Sequence, residues 1–130
     1  MPTPSSVATR GVFALAASIL VLGAAAAAAP LPTRVGQCSV TSVKQVEFRL
    51  EGEAGSGSAI SYDNGGYQVS YDRIPAIEAA RKGDAVRLCL VSIPRHCPPG
   101  DARGRIYRAT NERSGATWTA PDAEHSCGGA

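Results

Sequence analysis

Ser58-Ala59-Ile60-Ser61-Tyr62-Asp63-Asn64-Gly65-Gly66-Tyr67-Gln68-Val69-Ser70-Tyr71 is the stretch that decides how this chain folds. Two runs that alternate large with small or polar residues flank Asn64-Gly65, a dipeptide suited to a two-residue type I′ hairpin because both positions tolerate positive φ. With those two residues as the loop, Tyr62 faces Tyr67, Ile60 faces Val69 and Ser58 faces Tyr71. The large side chains then share one sheet face, and Ala59, Ser61, Gln68 and Ser70 share the other. Three tyrosines on one face read as core and core rim with wet hydroxyls; a stacking platform for a ligand is the alternative.

Working outward, a second hairpin spans Gly104 to Ala120, closed through Asn111-Glu112-Arg113-Ser114-Gly115 with positive φ at Gly115. Pairing Asn111 with Ala116 sets Ala109 opposite Trp118 and Tyr107 opposite Ala120. Trp118 and Tyr107 thus fill one face, and Arg108, Thr110, Thr117 and Thr119 line the other. Upstream, Cys38 to Glu51 reads as a strand whose second half buries Val46, Phe48 and Leu50 against exposed Glu47, Arg49 and Glu51. Ala85 to Ile93 is apolar on both faces after Arg87, the pattern of a central strand. Before it, Ile74 to Gly83 has Pro75 near its start, Arg81 and Lys82 in its last turn and Gly83 past its end, which predicts a helix of about two turns. Pro94 to Arg103 is a rigid proline loop. Glu53 to Ser58 is a connector, since its glycines have neither a strand-to-helix context nor a lysine behind them to make a phosphate loop.

Two hairpins, two further strands and one short helix make the protein mainly β. The order fits a small, partly open β-barrel of the OB or SH3-like kind, closure being what keeps short strands from exposing their edges. The alternative is an α+β sheet with the helix across one face.

Of the 130 residues, 44% are hydrophobic, and the first 29 are far richer in them than the rest. A polar start leads through Arg10 into the apolar run Gly11 to Leu22 and then into Ala24 to Ala29, the three-part layout of a secretory signal peptide. A cut one residue before Ala29 avoids Pro30 beside the scissile bond; an uncleaved membrane anchor is the alternative. Residues 1–29 are therefore expected to be the signal peptide and 30–130 a single domain, periplasmic or secreted, with no membrane span after cleavage. That remainder is too short for a multidomain enzyme or an α/β barrel. Net charge is +2 for the whole chain, giving no reason to expect nucleic-acid binding.

Gly83-Asp84-Ala85-Val86-Arg87-Leu88-Cys89-Leu90-Val91-Ser92-Ile93-Pro94, Cys97-Pro98-Pro99-Gly100-Asp101-Ala102-Arg103-Gly104 and His125-Ser126-Cys127-Gly128-Gly129-Ala130 together resemble a group of small exported bacterial proteins of uncharacterised function. The resemblance spans about the last half of the chain. It implies export and a compact domain, and no chemistry.

Export makes disulfides the expected state of Cys38, Cys89, Cys97 and Cys127. The Tyr107–Ala120 pair sends its flanking segments out of the sheet at one end, and Cys97 and Cys127 lie at similar distances along them. A Cys97–Cys127 bridge follows, leaving Cys38 to Cys89. The only histidines, His96 and His125, each stand near a cysteine, so a metal site using His96 and His125 is the alternative to plain disulfides. No motif of metal-, serine- or carboxylate-based hydrolysis is present, so neither an enzyme nor a cofactor is expected. Arginines cluster after the central strand; Arg103, Arg105 and Arg108 beside the Trp118 hairpin form a candidate site for an acidic partner of the cell envelope, against the plainer reading of a solvated face with Asp101–Arg103 pairing. The expectation is a non-enzymatic binding or structural module.

Overall fold

One long strand serves both halves of the molecule. In the computed structural model, which describes residues 2–5, 11, 18–20 and 28–129, β1 (Cys38–Phe48) pairs along its first half with β4 (Ala85–Ser92) and along its second half with β2 (Ser58–Tyr62). The change of partner falls where the register shifts between Val43 and Gln45. One extra residue there reverses the alternation. Thr41 and Val43 point inward before the irregularity; after it Val46, paired with Ile60, faces the core and Gln45 and Glu47 do not.

From β2 the chain turns into β3 (Tyr67–Ser70), passes through α1 (Pro75–Glu78) and β4, and ends in the hairpin of β5 (Ile106–Asn111) and β6 (Thr117–Pro121). All neighbours are antiparallel, in the order β3-β2-β1-β4-β5-β6. The sheet curls into a half-barrel, so the expected small, partly open β-barrel with one short helix is the fold. Its core is Val43, Ile60, Tyr62, Val86, Leu88, Leu90, Tyr107 and Trp118, with Ile77 of α1 inserted between the two halves.

Four details depart from the sequence reading. The helix is one turn, not two: Ile74 caps it without a side-chain hydrogen bond, and the backbone of Gly83 and Asp84 is taken by Val43 of β1. Phe48 and Leu50 are about 40% exposed, because β1 outruns the core. The outer face of β4 is open, with Val91 exposed. The fourth is the register of the first hairpin. Ile60 pairs with Gln68 and Ala59 with Val69, one residue from the expected pairing. Asn64 does not take positive φ, only Gly65 does, and a three-residue loop of Asp63, Asn64 and Gly65 closes on the Tyr62–Gly66 hydrogen bond. That is the type I turn followed by a left-handed glycine, the next commonest hairpin connection. Tertiary contacts favour it: the Asn64 amide donates to the Ala29 carbonyl, the Asn64 N–H to Thr41 Oγ1 and the Asp63 N–H to the Ser42 carbonyl.

The shift moves every β3 side chain to the opposite face. Tyr62 lies in the core while Tyr67 and Tyr71 are outside, so no platform of three tyrosines exists. Gln68 goes inside instead and is fully buried. Its Oε1 accepts from the Tyr62 hydroxyl at 2.6 Å and from Trp118 Nε1 at 2.9 Å, and its Nε2 donates to the carbonyls of Tyr107 at 2.7 Å and Ala120 at 3.1 Å. One amide thereby ties the β3 edge to the β5–β6 edge. Burial pushes the Tyr62 hydroxyl far above its ordinary pKa, keeping it a donor.

Both expected disulfides are present. Cys38 and Cys89 join paired positions of β1 and β4, and Cys97–Cys127 clips the proline loop to the C-terminal segment. Closed disulfides belong to an oxidising environment. Most of the expected signal peptide lies outside the described residues; among those described, no helix is long and apolar enough to cross a membrane.

Candidate interaction surface

The second half of the sheet turns its outer face to solvent. Two rungs cross it: Cys38, Cys89, Arg108 and Thr119 in one, and Val40, Arg87, Thr110 and Thr117 in the next, on β1, β4, β5 and β6 respectively. Alternation with the buried Val86, Leu88, Tyr107 and Ala109 forces these side chains outward. Arg87 and Arg108 are diagonal neighbours, a spacing of roughly 7–8 Å at the backbone. Both are exposed, and the ion pairs among the described residues are Arg49–Glu124, Arg73–Glu78, Arg103–Asp101 and Arg113–Asp84, which leave them out. Val40, 52% exposed, adds an apolar spot beside them.

The expected arginine and tryptophan group is not assembled as such. Trp118 is in the core, its indole committed to Gln68, and it cannot meet a partner. Arg103 grips Asp101 with two hydrogen bonds of 2.9 and 2.8 Å, which, with the Gly128 N–H, hold that carboxyl well below the usual carboxylate range. This pair braces the C-terminal segment, since the Arg103 carbonyl also accepts the Cys127 N–H. Arg105 is half-buried, with its Nε shut away from solvent. Arg108 alone of the three stands free on the sheet, and its companion is Arg87. The β4 alternation already turned Arg87 outward, but strand order is needed to place it beside Arg108.

Arg113 serves the fold. Its guanidinium donates to both Asp84 oxygens at 2.7 and 2.9 Å, and Asn111 Nδ2 adds 2.8 Å. Asp84 is 8% exposed, and these bonds hold its carboxyl below the usual range. The cluster locks the start of β4 to the β5–β6 loop.

His96 and His125 are exposed, and their neighbouring cysteines are bonded to each other. Among the described residues no three His, Cys, Asp or Glu side chains are grouped to hold a metal ion. His125 instead lies 6.4 Å from the Tyr71 ring, whose face carries the Arg49 guanidinium at 4.4 Å; Arg49 reaches on to Glu124. This cluster joins residues distant in the chain, and no sequence signal announced it. It pins the C-terminal segment, which shares a cleft with Val69 and Tyr71 of the first hairpin.

An open groove of about 940 Å³ between the end of β1 and α1 is lined by Val46 and Phe48 and by charges of both signs, Glu47, Arg49, Glu51 and the Arg73–Glu78 pair. No family model matches the chain, and searches of curated proteins and solved structures found no match either.

Proposed function

We propose that this chain is an exported, non-enzymatic binding module of the cell envelope, periplasmic or secreted, freed from a leader of about 29 residues and akin to the small exported bacterial proteins its second half resembles. Its working surface is the outer face of β1, β4, β5 and β6, and the partner is acidic. The observation that carries this reading is Arg87 beside Arg108, two exposed cations outside every ion pair described. Arginine suits the task because its planar fork binds carboxylate and phosphate bidentately and is only weakly hydrated. Two disulfides keep such a face rigid where thiols are oxidised.

Elution from a sulfonate matrix tests it. Arg87→Gln with Arg108→Gln should elute at markedly lower salt than the parent, whereas Lys44→Gln with Lys82→Gln, which removes the same charge from other exposed positions, should shift elution much less. Equal shifts for the two pairs would leave only net charge and overturn the reading.

A further inference from the structure

The polypeptide just after the leader is built into the domain from Ala29 onward. The Ala29 N–H donates to the Val40 carbonyl at 3.2 Å, and the Ala29 carbonyl accepts the Asn64 amide at 3.0 Å. Leu31 packs on the core, and Pro32 is fully buried. A cut after Ala29 would delete both hydrogen bonds and place Pro30 at the new terminus. A cut between Ala28 and Ala29 leaves small residues at the positions one and three before it, Ala28 and Ala26, and keeps both bonds.

Ala29 also lines an open groove of about 500 Å³ with Pro30, Cys38, Val40 and Arg87. Val40 stands between them: its carbonyl holds Ala29, and its partner in the sheet is Arg87. We propose, resting on the export reading above, that a signal endopeptidase cuts between Ala28 and Ala29 and that the cut completes an anion-binding groove. Water adds across the Ala28–Ala29 amide: its oxygen joins the Ala28 carbonyl carbon to give a carboxylate, the C–N bond breaks, and the nitrogen of Ala29 takes up protons to become an α-ammonium. An ammonium has three donors, so one continues to hold the Val40 carbonyl and the others face the groove. Together with Arg87 it presents two positive charges to one oxyanion, a carboxylate or phosphate group of the acidic partner. The uncut chain has a neutral amide there and only Arg87. Processing thereby strengthens binding.

The test uses the full chain exported by a bacterial host. The intact mass of the released protein should place its first residue at Ala29. An uncut chain would overturn the export reading itself, and a first residue at Pro30 or beyond would overturn the cut site while leaving export intact. The processed protein is then titrated with polyglutamate and, separately, with inorganic polyphosphate, which tell a carboxylate source from a phosphate source. Binding of at least one is expected, weakened about threefold to fivefold by Arg87→Gln and similarly by acetylating the α-amine at neutral pH, where the lysines stay protonated. Binding of neither polymer, or affinity unmoved by acetylation, would overturn the groove even with the terminus at Ala29.

Discussion

The two hairpins of this protein carry equally clear alternation, yet only one of them folds in the register that alternation suggests. In β5–β6 the pairs Ala109–Trp118 and Tyr107–Ala120 form as read, because Gly115 closes a loop whose length has one good solution and only one face carries large apolar groups. In β2–β3 both faces of β3 bear bulk, Tyr67, Val69 and Tyr71 on one and Gln68 on the other. The loop, not the pattern, therefore decides, and tertiary bonds at Asp63 and Asn64 select three residues over two. Alternation sets register only when turning the strand over would expose something costly. The hairpins are also anchored differently: a disulfide ties the segments flanking β5–β6, and a single amide ties β3 to them.

The largest effect should come from the covalent anchor. Cys97→Ser opens a cross-link spanning 30 residues, worth roughly 3.7 kcal/mol by chain entropy, and should lower the melting temperature sharply while making Cys127 alkylatable. Labelling of Cys38 or Cys89 instead would mean the bridges are mispaired.

Next comes the amide. Gln68→Leu strands the buried Tyr62 hydroxyl, the Trp118 N–H and two carbonyls, at a cost of about 3 kcal/mol in urea unfolding, whereas Tyr67→Ser on the outer face should cost under about 1 kcal/mol. The two-residue turn predicts the reverse order, with Tyr67 the costly position.

The smallest effect at neutral pH belongs to the lock between the β5–β6 loop and β4, since Asn at position 84 keeps one acceptor oxygen. Asp84 has its folded pKa depressed, chiefly by Arg113. Its ionic contribution is therefore complete above the ordinary carboxylate value near 4 and fades as pH falls below that toward the folded value. Asp84→Asn should flatten the loss of stability on acidification below about pH 4, read by thermal melts across pH. Parallel pH profiles for parent and variant would show that Asp84 is not so held.

Much of the architecture was legible in the sequence: the two hairpins and two further strands along the chain, the barrel, the second register and both disulfides. What escaped has one physical character. The Gln68 network, the Asp84–Asn111–Arg113 lock and the Arg49–Tyr71–His125 stack all join residues far apart in the chain, whose meeting depends on curvature and register that no local pattern encodes. Trp118 was placed correctly on the core face and yet also offered to a partner. A residue cannot do both, and the indole bond to Gln68 settles which. The proposed interaction face was half visible, with Arg108 singled out and Arg87 not, because diagonal neighbours exist only once strand order is known.

The barrel's closure depends on which β3 residue faces Ile60. Cross-strand NOEs in the isotopically labelled protein read this directly. Backbone contacts Ile60–Gln68 and Ala59–Val69 are expected, together with contact between the Trp118 indole N–H proton and the Gln68 side chain. Backbone contacts Ile60–Val69 and Tyr62–Tyr67, with no contact from Gln68 to Trp118, would contradict this register.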